Sequence, residues 1–151
     1  MKPLKTFLLG MILMTGHVMA ADCKEAEKSL QTYLQALRAH QLPALQKAVA
    51  PDAVFKIEVL DVSPSKFFTL SREDFLQQLN ATWRFSRDEK LEVSAIRWQA
   101  TAGSCEAAFT LKENRLLLET PAGQESQLSL QFKPEATGWI IAQVKGRIKT
   151  W

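Results

Sequence analysis

The chain has 151 residues, 46% of them hydrophobic and 23% charged, with a formal net charge of +3. A length of this order suits one compact domain with one core and leaves no room for a second. The small charge is spread along the chain, so the concentrated positive field that nucleic-acid binding requires is missing and no nucleic-acid partner is expected.

Lys2 and Lys5 precede an apolar run from Phe7 to Met14 and a Val18-Met-Ala20 tail suited to signal peptidase. Residues 1–20 therefore read as a signal peptide and residues 21–151 as the mature domain. The competing reading, a membrane anchor, needs roughly 20 apolar residues, and this run is much shorter. No transmembrane segment is expected after cleavage, and lipid attachment at Cys23 is disfavoured by the charged Asp22 before it. Without Lys2 and Lys5 the 19 basic residues fall to 17 against 16 acidic ones, a net charge of +1. The expected location is periplasmic or secreted. There Cys23 and Cys105 read as a disulfide, since an oxidising compartment lets the bond persist; two unrelated thiols are the alternative.

Asp22 and Glu25 have the spacing of an acidic capping box, and Ala26, Leu30, Tyr33, Leu34 and Leu37 recur on one helical face, predicting a helix over 24–39. Pro43 suits the first turn of a second, shorter helix, which must stop before Pro51. From Ala53 the period becomes two: Phe55, Ile57 and Val59 share one face of a strand while Lys56 and Glu58 take the other. A short strand follows over 66–70, and Ser71 with Asp74 opens a third helix ending near Thr82. Four strand-rich stretches complete the chain: Leu91–Ala100, Ser104–Glu119, Gln124–Lys133 and Trp139–Thr150. Turns are expected at Ala102-Gly103, Pro121-Ala-Gly123 and Glu135-Ala-Thr-Gly138, making antiparallel neighbours. Lys112-Glu-Asn114 interrupts the second stretch and reads as a bulge or a dividing turn, the bulge being the expectation.

Tyr33-Leu-Gln-Ala-Leu-Arg-Ala-His40, Ala50-Pro-Asp-Ala-Val54, Ser71-Arg-Glu-Asp-Phe-Leu76 and Gly138-Trp-Ile-Ile141 occur in an order and spacing that resemble the nuclear-transport-factor-2-like superfamily, also called SnoaL-like or ketosteroid-isomerase-like. The resemblance spans the whole mature chain. It implies an α+β cone fold with three N-terminal helices packed on a strongly curved antiparallel sheet, an apolar cavity for small ligands and a sheet face used for dimerisation. It does not imply one activity, because the fold hosts isomerases, dehydratases, cyclases and plain binding proteins.

Isomerases of this family place a tyrosine on the first helix as an oxyanion donor and a carboxylate on the first strand as a base. Tyr33 matches the donor, but the base position falls at Ile57 and a second acidic position near Leu128, and neither side chain accepts a proton. Tyr33 therefore reads as a core aromatic. His40, the only mature histidine, suits the exposed carbonyls at a helix end, and a lone histidine builds no multi-histidine metal site. Asp52 reads as a turn residue, and Glu58 and Asp61 read as a solvated strand residue and a turn residue, with a carboxylate pair between these two as the alternative. Ser104 lacks a nucleophile elbow.

Trp98 and Trp139 read as core or dimer packing, Trp83 with Phe85 as the rim of a cavity mouth, and Trp151 ends the chain. Lys145, Arg147 and Lys149 share one face of the last strand, usually a solvated face but one that an anionic headgroup or acidic partner would suit. Asn80-Ala-Thr82 is a formal glycosylation acceptor on a predicted helix and reads as chance. The expectation is an exported binding protein, without cofactor or metal and with a homodimer possible. Its apolar or amphipathic ligand would lie between helices and sheet against Tyr33, Phe55, Ile57, Trp83, Leu128, Leu130 and Phe132. The alternatives are a cone-fold isomerase, dehydratase or cyclase using Tyr33 with Asp52, Glu58 or Asp61, and an envelope accessory protein that pairs through its sheet face.

Overall fold

The structure is a computed structural model that describes residues 23–151, so the expected signal peptide and the Asp22 cap lie outside the described residues. Two helices, α1 (Lys24–Arg38) and α2 (Leu42–Ala48), lead into β1 (Val49–Val59) and β2 (Lys66–Ser71). A third helix, α3 (Arg72–Arg84), is followed by β3 (Ser86–Val93), β4 (Arg97–Thr101), β5 (Ser104–Leu117), β6 (Thr120–Glu135) and β7 (Gly138–Thr150). The sheet runs β2-β1-β7-β6-β5-β3, with β4 paired to the other end of β5, and it does not close.

Local chemistry accounts for most boundaries. Ser71 caps α3 reciprocally with Asp74, each side chain bonding the other's backbone N–H. Helix α1 ends at His40, whose positive φ of 54° lets the Gln41 N–H reach the Ala36 carbonyl and its own N–H the Leu37 carbonyl. The cap is thus made by backbone, and the His40 side chain is freed for other contacts. Pro43 sits in the first turn of α2, where its missing N–H costs nothing.

Five expectations are corrected. The helices are not all N-terminal to the sheet, because α3 lies between β2 and β3. The sheet is not wholly antiparallel: β1 runs parallel to β7, a pairing between chain ends that no local pattern announces. The stretch expected over 91–100 is two strands, β3 and β4, the first beginning at Ser86. β5 passes straight through Lys112-Glu-Asn114 with unbroken register to β6, and the bulge lies instead in β3, where Asp88 and Glu89 together oppose Arg115. The reversal after β5 is Leu118-Glu119, both at positive φ, while Pro121 and Gly123 are paired within β6.

One face of the sheet carries the helices. Phe55, Val144, Leu130, Ala107, Phe109 and Leu111 point to that face from four strands and are buried with Leu30, Tyr33, Leu34, Leu37 and Leu45. Phe75 of α3 stacks on Phe55 at 4.2 Å, and Trp98 leans on Phe132 at 5.6 Å. Trp98 and Trp139 both pack against this core. Cys23 and Cys105 are bonded across a sequence separation of 82, tying the start of α1 to the start of β5. In the loop-entropy description such a closure contributes about 4–5 kcal/mol. Among the described residues no helix is long and apolar enough to cross a membrane, which says nothing of strands.

Candidate functional site

Two places combine polar groups with restricted access. The first is a hollow of about 970 Å³ on the sheet face opposite the helices. Alternation puts Lys56 and Glu58 of β1, Ala108 and Thr110 of β5, Gln127 and Ser129 of β6, and Lys145 and Arg147 of β7 on this face, with Arg97 of β4 at one side. Phe67 and Phe68 of the edge strand β2 form the opposite rim and are 75% and 48% exposed. The Glu58 carboxylate accepts from Arg147 Nε at 3.1 Å and from Ser65 Oγ at 3.0 Å. Ser129 Oγ donates to Glu106 at 2.6 Å.

The second place is an ionic cluster on the helix-covered face, toward the β5–β6 reversal. Phe109, Leu111, Glu113 and Arg115 follow one another on that face of β5, so hydrocarbon gives way to charge along a single strand. Arg115 Nη2 donates to Glu113 at 3.0 Å, and Arg115 Nε lies 3.4 Å from Glu89 Oε2. The Nε–H is not aimed at that oxygen, and both atoms are buried without a hydrogen-bond partner. His40 Nε2 lies 3.4 Å from the other Glu89 oxygen, and its ring stacks on Trp83 at 4.4 Å with the planes 9° apart. Burial pushes the Glu113 carboxyl above its ordinary range, with Arg115 opposing and Glu89 adding to the rise. Burial also raises the Tyr33 hydroxyl, and the charge of Glu113 adds to that shift.

The expected lining residues separate. Tyr33, Phe55, Leu130 and Phe132 are core, each at most 4% exposed, so the space between helices and sheet is filled at those positions. Ile57 and Leu128 pack against the same core and border the open-face hollow. They also crowd Gly146, where a Cβ would meet Leu128 Cδ2 at 3.1 Å and Ile57 Cδ1 at 3.2 Å. Trp83 packs against the core and separately stacks on the exposed His40.

None of the three carboxylates considered for catalysis joins Tyr33. Glu58 faces the other side of the sheet, Asp52 is 84% exposed and Asp61 binds Thr150. Hydrogen bonds from the Thr150 side chain and then its backbone hold the Asp61 carboxyl below its ordinary range. The carboxylate whose charge reaches Tyr33 is Glu113. It was legible only by reading β5 as one continuous alternating strand, which the polar run at Lys112-Glu-Asn114 obscured. Among the described residues, no three His, Cys, Asp or Glu side chains converge as a metal ion requires.

No protein-family model and no curated sequence matches the chain. Solved structures do match in shape. A conserved protein from Planctomyces limnophilus superposes with a TM-score of 0.70 at 13% identity, over 85% of this chain and 96% of its own. An NTF2-like protein from Cytophaga hutchinsonii gives 0.65 at 11% identity, over 81% and 93%. The hexachlorocyclohexane dehydrochlorinase LinA-type3 from Novosphingobium barchaimii gives 0.65 at 15% identity, over 85% and 86%. Identities this low speak for fold and not for activity. Among the described residues, three helices on a seven-stranded, mostly antiparallel open sheet, superposing on these neighbours along most of the chain, give the NTF2-like fold.

Proposed function

We propose that the protein is an exported, non-catalytic binding protein whose small amphipathic ligand lies in the hollow on the open face of the sheet. The observation that supports this reading is the division of space. Aromatic and aliphatic side chains fill the region under the helices, while about 970 Å³ lies open across β2, β1, β7, β6, β5 and β4. Concave surfaces with apolar walls and a few placed polar groups are the usual ligand sites. The Cys23–Cys105 disulfide suits a periplasmic or secreted location, where such a bond persists.

Ala108 is the small residue on the floor of the hollow, so Ala108→Trp fills it from the solvent side without touching the core. Titration with 1-anilinonaphthalene-8-sulfonate should give saturable binding to the wild type and none to Ala108→Trp, with Tm unchanged. Equal binding to both proteins would remove the hollow from the account.

A second reading has its own observation, the buried Glu113 beside Tyr33 and Arg115. In it the chain is an enzyme of the cone fold, as is the dehydrochlorinase it superposes on, with Glu113 moving a proton. A screen of elimination and isomerisation substrates tests it. Turnover abolished by both Glu113→Gln and Tyr33→Phe favours the enzyme, and no turnover in the wild type rejects it.

A further inference from the structure

We infer that the ligand of the open-face hollow is an anionic amphiphile, an apolar body with a carboxylate or phosphate head, gripped by Lys56, Lys145 and Arg97. This rests on the binding reading above and adds the chemistry of what is bound. On this face, residues directly opposite one another on neighbouring strands form rows. One row runs Thr69, Lys56, Lys145, Ser129, Ala108 and Arg97. The next runs Phe67, Glu58, Arg147, Gln127 and Thr110.

The two rows treat charge differently. In the second, Glu58 and Arg147 stand opposite each other and pair at 3.1 Å. In the first, two lysines stand opposite each other, which is destabilising between neighbouring strands. Among the described residues, Lys56, Lys145 and Arg97 have no carboxylate partner. The acidic groups within reach are engaged: Glu58 by Arg147 and Ser65, Glu106 by Ser129. Strands lie about 4.8 Å apart, so Lys145 and Arg97, three strands apart in the row, have backbones roughly 14 Å from each other. Their long side chains can converge over the small Ser129 and Ala108 between them. An anion placed there offsets a repulsion that the fold itself does not need.

The same hollow asks for hydrocarbon. Phe67, opposite Glu58 on this face, presents its ring to solvent at the rim, and Ala95 and Ala108 line the hollow without polar side chains. A ligand with one anionic end and an apolar body covers both features at once, whereas a free inorganic anion leaves the Phe67 ring wet.

Calorimetric titration below the micellar range separates the possibilities, using dodecanoate, dodecyltrimethylammonium and inorganic phosphate as probes. The wild type should bind dodecanoate one to one, at least tenfold tighter than either other probe. The exposed double substitution Lys56→Gln/Lys145→Gln should weaken dodecanoate at least tenfold with Tm retained, and Phe67→Ser should weaken it independently of head charge. Equal affinity for the anionic and cationic amphiphiles, unaffected by the double substitution, overturns this inference and leaves the binding reading standing. No binding of any probe overturns both. Phosphate binding as tight as dodecanoate leaves an anion site and overturns the amphiphile. A ligand-free dimer with the amides of the hollow protected from hydrogen exchange assigns the face to a second copy of the chain, and the inference falls.

Discussion

At the scale of single residues, the decisive contrast is between groups whose environment is complete and groups whose environment is not. Phe55 is fully enclosed and stacked on Phe75, so Phe55→Ala should cost about 3–5 kcal/mol and lower Tm steeply in a thermal melt. Glu113 is buried with only part of its charge matched. Its folded-state pKa is raised above the ordinary 4.5, so the folded chain keeps that proton to higher pH than the unfolded chain does. Its stabilising contribution is full below about pH 4.5 and is lost as pH rises through the folded-state value. Glu113→Gln has no proton to lose, so between pH 4.5 and 7 its Tm should decline less than that of the wild type; parallel declines would contradict the assignment. Asp61 has the opposite sign. Held low by Thr150, it stabilises above its ordinary 3.8 and loses that contribution as pH falls further, a loss that Asp61→Asn should remove from an acid titration of unfolding.

At the scale of elements, the disulfide and the α3 cap are separable contributions. Cys23→Ser/Cys105→Ser should lower stability by about 2–5 kcal/mol in a denaturant titration, and the untreated wild type should weigh two hydrogens less than its reduced form. Ser71→Ala removes one half of a reciprocal cap at an exposed helix start, for a cost of about 1 kcal/mol. These elements were also the most legible ones. The apolar stripe from Ala26 to Leu37, the Ser71–Asp74 spacing and the alternation at Phe55, Ile57 and Val59 each report a local preference, and each element formed where that preference lies. What stayed hidden depends on distant partners. Leu118-Glu119 makes the reversal against its own preference for negative φ, while the stronger local turn signal at Pro121-Ala-Gly123 was overridden by pairing along β5. The parallel match of β1 to β7 is invisible to any window of neighbouring residues.

At the scale of the whole molecule, the helices and one face of the sheet bury a shared apolar core, and the polar consequences fall on two opposite sides. Under the helices the charges at Glu89, Glu113 and Arg115 are folded against one another and against His40. On the open face the cations at Lys56, Lys145 and Arg97 border a hollow. The candidate site was half legible. Lys145 and Arg147 were visible as one charged face of the last strand, but the contribution of Lys56 and Arg97 to that face required the strand order. Tyr33, Leu130 and Phe132, expected against a ligand, are buried in the core, and periodicity reports which face a residue takes and not whether that face encloses space. Amide chemical-shift mapping during titration with dodecanoate tests the central claim most directly. The account predicts perturbations concentrated at residues 56–58, 108–110, 127–129 and 145–147, with Tyr33, Glu113, Leu130 and Phe132 unmoved; shifts clustered on those four instead would contradict it.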